Sequence, residues 1–513
     1  MSRTRRFLGG VSLGYANQVL LTVVGLWLTP FLLRRIGQHD YGLWLVGAQL
    51  LAYLSLMDFG IMALLPRATA YAMGRAGSVV EAKDLPEIIG RTAWLVLCQT
   101  PFVALAAAIL WLTIPGDWGA LRVPIGVVML AFVLSFPLRI FQAVLQGLQD
   151  LPFLGKLNIA AWFCGTAITI GLVFAGEGLY SLAFGWVVTQ FTAACLCYLR
   201  LRRKFPNTLP HRLPSLSWLT VRSQLTQGFW VSVAQVAQVL VSGTDVLIIG
   251  TLLGPLAVVP FACTSKLIGV LANQPQMLMQ AAGPALSEMK MAESRRKLFQ
   301  VCTALSQAML LVSGAVVCVV LTVNQGFVSW WVGPGQYGGL LLSALFLLTM
   351  LLRHWNTTAV YAIFCFGYER RISLTTLLDG VVTVGGAILA VRQFGAIGAP
   401  MGALLGVCLV SLPGNLSALA HENGVKLTTL IKTLGPWFFR FVILAAGAWF
   451  VARVFVPRTF GGIAVAAMLC GLIYSGVMFP LILRDPLGLY VRPRLFAVRM
   501  KFRQVPLVRG ADV

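Results

Sequence analysis

The chain has 513 residues, 58% hydrophobic and 11% charged, with a mean hydropathy of +0.85. A soluble domain carries roughly 25% charge, so this composition excludes one and indicates a polytopic membrane protein. The net charge of +23 does not indicate nucleic acid, because it is distributed over the loops between apolar segments.

A helical span needs roughly 20 apolar residues. Fourteen such segments are predicted, at 11–33, 41–65, 91–114, 121–145, 157–176, 179–199, 226–250, 255–283, 298–323, 338–364, 372–391, 396–418, 435–456 and 459–483. The first follows the basic start Met1 to Arg6 and is too long for the apolar core of a signal peptide. With the N-terminus inside, the outer side receives Arg34, Arg35, Arg122, Arg392, Arg453 and Arg458. Lys266 and Arg353 lie deep within spans, leaving 31 of the 39 Lys and Arg on the inner side. This asymmetry predicts both termini in the cytoplasm and basic loops against anionic lipid headgroups.

The first hairpin turns around Gly37, with Tyr41 and Trp44 at the outer interface. The second span carries Gln49, Tyr53 and Asp58, with Arg67 at its inner end. The fourth holds Arg139, Gln142, Gln146 and Gln149 at intervals of 0, 3, 7 and 10, one helix face. Asp58, Arg67 and Arg139 are expected towards the same side, as a salt-bridge cluster or a substrate contact. Prolines and charges between Arg200 and Arg222 end the sixth span and mark a lobe boundary. The predicted organisation is 1–210, 211–425, an added helix pair at 426–484 and a basic tail at 485–513. A weak repeat pairs Gly37 with Gly254, Gln18 with Gln235 and Gly147 with Gly367, so the two halves read as six-helix units of one orientation.

The polar residues concentrate in the seventh and eighth spans. Gln235, Gln238, Ser242 and Asp245 share one predicted helix face. After Gly254 and Pro255, Lys266, Gly269, Asn273, Gln276 and Gln280 repeat the spacing. Polar groups at membrane depth are expensive and usually face an aqueous path, although amides also serve as interhelical glue. Lys266 sits roughly 16 Å from the outer end of its helix at 1.5 Å per residue, so it needs a partner or water, with Asp245 a plausible resting partner. Arg353, His354 and Asn356 form a second polar group in the tenth span.

The sequence contains no phosphate-binding loop, no GxSxG and no HExxH. Its four histidines are far apart and its ten cysteines scattered, so neither a metal site nor a cofactor is expected. The predicted outer loops are short, which counts against an enzyme acting on a sugar.

Residues 28–44, LTPFLLRRIGQHDYGLW, and 53–60, YLSLMDFG, resemble the polysaccharide-transporter branch of the multidrug/oligosaccharidyl-lipid/polysaccharide flippase superfamily, the Wzx-type O-antigen flippases. Residues 142–148, QAVLQGL, 245–254, DVLIIGTLLG, and 262–267, ACTSKL, extend the resemblance. It implies an all-α, MATE-like fold of about 14 transmembrane helices: two six-helix lobes around a central cavity lined by helices 1, 2, 7 and 8, plus a C-terminal pair. The implied activity is flipping of an undecaprenyl-diphosphate-linked oligosaccharide across a bacterial inner membrane for cell-surface polysaccharide. Polysaccharide polymerase or ligase machinery is a further partner class, and no nucleic acid is expected. Lys266, Arg353, Arg139 and Arg67 are the candidate diphosphate cations. Gln235, Gln238, Ser242, Asn273, Gln276 and Gln280 are the candidate sugar contacts. Asp245 and Asp58 are candidates for ion coupling or salt bridges. An ion-coupled multidrug/cation antiporter of the same fold, or a non-transporting scaffold of an envelope-polymer complex, are the alternatives. One departure stands out: related lipid II flippases carry an arginine within the first helix, and positions 11–33 here hold no charge.

Overall fold

The computed structural model describes residues 3–76, 84–210, 218–292, 294–366 and 368–493, with the side chains of 3–19, 74–76, 207, 218–221, 223–225, 227, 274, 276–292 and 369 left out. All regular structure in these residues is helical. That follows from the composition, because in lipid a helix satisfies its own backbone polar groups. Ten helices are long and apolar enough to cross a membrane, and twelve if each of two bent pairs is one span. The N-terminal helix and a turn at Gly395 inside the stretch 370–423 account for the remaining two of the fourteen predicted segments.

The chain divides into two compact units, Met1–Val259 and Pro260–Val513. The first holds α1 (Arg3–Ile36), α2 (Gln38–Ser55), α3 (Ile61–Ala76), α4 (Leu85–Leu112), α5 (Gly119–Ser135), α6 (Arg139–Gly147), α7 (Leu151–Phe174), α8 (Leu179–Lys204), α9 (Trp218–Ser242) and α10 (Asp245–Leu252). The division falls later than the predicted lobe boundary near 210 because α9 and α10 pack on α2 and α3.

Two predicted straight spans are broken. The second bends by 52° between α2 and α3, through a 3-10 turn at Leu56–Asp58 and left-handed backbone at Phe59 (φ 46°) and Gly60 (φ 70°). The seventh bends by 51° between α9 and α10, at Gly243 and Thr244. Each break rests on the other broken helix. A Cβ on Gly60 would lie 2.7 Å from the Gly228 carbonyl oxygen, and one on Gly228 would strike the Phe59 carbonyl. A Cβ on Gly243 would lie 2.7 Å from Gln49 Nε2, while the Tyr53 and Thr244 hydroxyls share a 2.8 Å hydrogen bond. Elsewhere in this unit α7 and α8 close on each other reciprocally, Gly165 against Thr189 and Gly185 against Thr169. Small residues let backbones approach in this way. Asp150, just before α7, ties the end of α8 by accepting from Arg200 Nε at 2.9 Å and Lys204 Nζ at 3.3 Å.

α11 (Pro255–Ala292) runs into the second unit. There follow α12 (Arg295–Trp331), α13 (Leu340–Cys365), α14 (Glu369–Phe394) and α15 (Gly398–Gly406), which continues through a π-helical turn at Val407–Ser411 into α16 (Leu412–Asn423). Gly398, Gly402 and Gly406 lie four apart on one face of α15 and leave no room for a Cβ against α14. After the short α17 (Leu427–Lys432), α18 (Gly435–Val454) and α19 (Phe460–Ile482) pack on α12. Trp437, Phe441 and Tyr474 surround Gly314 there, and the Tyr474 hydroxyl donates to the Leu311 carbonyl at 2.9 Å.

Candidate functional site

The polar residues of the seventh span lie on either side of its break. Gln238 and Ser242 are exposed at the end of α9, where Ser242 Oγ donates to the Gln238 carbonyl at 2.8 Å and Gln238 Nε2 donates to Ser242 Oγ at 3.2 Å. Gln235 is half-buried, and its Oε1 is a buried acceptor with no partner among the described residues. The predicted stripe ends at Ser242, because Asp245 belongs to the first turn of α10. A carboxylate there meets the unpaired N–H groups of a helix start.

The predicted trio of Asp58, Arg67 and Arg139 resolves into a pair and an outlier. Asp58 is buried at the first break and accepts from the Gly60 N–H at 2.9 Å. Arg139 opens α6 after an interruption of the fourth span at 136–138. Its guanidinium lies 5.9 Å from the ring centres of both Phe132 and Phe136, within cation–π range. Asp58 and Arg139 lie in each other's electrostatic field without a direct ion pair, and Arg139 Nη1 is buried with no hydrogen-bond partner among the described residues. Arg67 is exposed and held apart, its Nε donating to Tyr71 Oη at 2.8 Å. The stripe that follows Arg139 also stops early: α6 ends at Gly147 and Gln149 has left-handed backbone (φ 57°), so only Gln142 and Gln146 continue the helical face.

In the second unit, α11 carries Lys266, Gly269 and Asn273 at helical spacing. Lys266 is half-buried, Asn273 is exposed, and a Cβ on Gly269 would meet nothing within 4 Å. Among the described residues this face of α11 is therefore open at Gly269 and Asn273. Lys266 has no ion-pair partner among the described residues. The helix is pinned just before this lysine, where Asn324 Nδ2 donates to the Thr264 carbonyl at 3.0 Å and Thr264 Oγ1 accepts from the Gly338 N–H at 2.8 Å. The side chains of Gln276 and Gln280 lie outside the described residues.

Arg353 has a different setting. Its Nη1 donates to Asp379 Oδ2 at 3.1 Å, and its Nη2 reaches Asp379 Oδ1, Thr383 Oγ1 and the Ala403 carbonyl, each at 3.4 Å. Asp379 is 1% exposed and also accepts from Thr383 Oγ1 at 3.0 Å. Gly406 faces this carboxylate and hydroxyl with no space for a Cβ. The neighbours of Arg353 are similarly engaged: the buried His354 shares a 2.7 Å hydrogen bond with Ser313, and Asn356 Oδ1 accepts from Asn415 Nδ2 at 2.9 Å. Asp379 is absent from the sequence-derived candidates, although a lone acid inside an apolar span was the signal that marked it.

The family described as "Polysaccharide biosynthesis protein" matches over residues 50–332. Among solved structures, the chain is similar to the lipid II flippase MurJ in an inward closed conformation, at 10% identity and TM-score 0.64, covering 93% of this chain and 99% of that one. It is also similar to an inward-facing multidrug resistance MATE family transporter of the MOP superfamily, at 13% identity and TM-score 0.56, covering 79% and 94%. A mutant of the Vibrio cholerae MATE transporter VcmN aligns at 13% identity and TM-score 0.50, covering 83% and 98%. These likenesses establish the fold. No curated protein matches the sequence.

Proposed function

The chain belongs to the polysaccharide biosynthesis protein family, and from that premise we propose that it flips an undecaprenyl-diphosphate-linked oligosaccharide from the inner to the outer leaflet of a bacterial cytoplasmic membrane. The MurJ-like and MATE-like fold supports a transporter working by alternating access. The observation that carries the reading is the open face of α11. It sets a lysine with no ion-pair partner among the described residues beside a glycine and an exposed amide. An ammonium attracts a diphosphate, and amides and hydroxyls hydrogen-bond sugars. Lys266 and Asn273, with Gln235, Gln238 and Ser242, are the proposed contacts. Arg139 is a second cation, and Asp58 and Asp245 are candidates for coupling. Arg353 contributes less, since Asp379 already compensates its charge.

The test is glycan export in cells lacking their own copy of the gene. Lys266→Ala is expected to abolish export while the protein accumulates normally in the membrane, and Lys266→Arg to retain part of it. Wild-type export by Lys266→Ala would overturn the role of this lysine.

A further inference from the structure

We propose that the first unit carries a binding site for an anionic phospholipid, separate from the residues assigned to the glycan. A cavity of about 660 Å³ lies between α4, α6 and the end of α8. This is within the range of small-molecule pockets. Ala93 and Leu97 of α4 and Phe141 of α6 supply apolar wall, and Pro206 of the segment after α8 closes one side. Tyr198 and Arg202 of α8 form the opposite wall. Tyr198 packs on Phe141 with ring centres 5.2 Å apart, and the Arg202 guanidinium lies 5.7 Å from the Tyr198 ring.

Charge selects the ligand. The last turn of α8 holds Arg202, Arg203 and Lys204. Asp150 takes Lys204, together with Arg200 one turn earlier, and Glu87 takes Arg91 on α4. Arg202 is left exposed at the cavity, with an aromatic ring but no acidic partner among the described residues. The basic end of an apolar span lies at the membrane–water boundary. A cation at the mouth and hydrocarbon within therefore match one molecule that has a phosphate and an acyl chain, at the depth where the two meet. The phosphate would sit on Arg202, and the chain would run between Phe141 and Leu97.

The experiment uses the purified full chain in detergent, with phosphatidylglycerol or phosphatidylcholine added and bound lipid counted by native mass spectrometry. The expected result is retained phosphatidylglycerol in preference to phosphatidylcholine. Arg202→Ala should weaken that retention about fivefold, the factor one interfacial basic residue is worth. Ala93→Phe, which fills the cavity without changing charge, should do the same, while Arg203→Ala, which changes charge outside the cavity, should not. Equal losses in Arg202→Ala and Arg203→Ala would mean diffuse attraction and overturn the site. So would unchanged retention in both Arg202→Ala and Ala93→Phe, or binding of undecaprenyl phosphate but not phosphatidylglycerol. Export by Arg202→Ala at the wild-type rate alongside lost lipid would separate this site from the glycan reading.

Discussion

Two half-buried arginines, Arg139 in the first unit and Arg353 in the second, are treated differently. Arg353 in the second unit meets a buried carboxylate, a hydroxyl and a carbonyl, all brought by α14 and α15. Arg139 in the first unit lies against two phenyl rings, with Asp58 near but not in contact and one guanidinium nitrogen unsatisfied. Both are half-buried arginines, so residue type does not decide the role. What decides it is whether the neighbouring helices supply acceptors. A compensated guanidinium is part of the scaffold, whereas an uncompensated one retains capacity for an incoming anion.

The largest expected effect comes from breaking the compensated side. Arg353→Ala leaves Asp379 buried and unpaired and should cost about 3–5 kcal/mol, read as a lower melting temperature in detergent and reduced abundance in the membrane. Arg353→Met combined with Asp379→Leu should recover most of that loss, because two apolar residues leave no orphaned charge. A double variant no more stable than Arg353→Ala would show the pair to be more than scaffold. Gly406→Ala should come next, at about 1–3 kcal/mol, since its methyl must displace the carboxylate that holds Arg353. The smallest stability effect belongs to Arg139→Gln, expected within about 1 kcal/mol of wild type because no ion pair is lost. Its export rate should nevertheless fall by at least roughly tenfold, consistent with a lost contact worth about 1.4 kcal/mol. If Arg139→Gln destabilises the protein as much as Arg353→Ala does, the contrast between the two arginines fails.

Much of this was legible in the sequence. Hydropathy located the ten to twelve helices long and apolar enough to span, and the motifs around Asp58 and Asp245, both within the matched residues, indicated the family. The shared face of Lys266, Gly269 and Asn273 on α11 follows from their spacing. The breaks were not legible, because hydropathy averaged over a span carries no information on backbone direction. Arg353 read as an available cation because its partner is 26 residues away on another helix, a distance that only packing closes. The fourth-span stripe was overextended for a local reason, the left-handed turn at Gln149.

The backbone contact between Gly60 and Gly228 constrains how the gene can drift. Position 60 is fixed twice, by its positive φ and by the carbonyl it faces; position 228 is fixed by the Phe59 carbonyl alone. Because the obstruction on each side includes main chain, no change of a neighbouring side chain alone relieves it. Each codon is therefore expected to be kept on its own account, and random mutagenesis selected for export should return almost no substitutions at either.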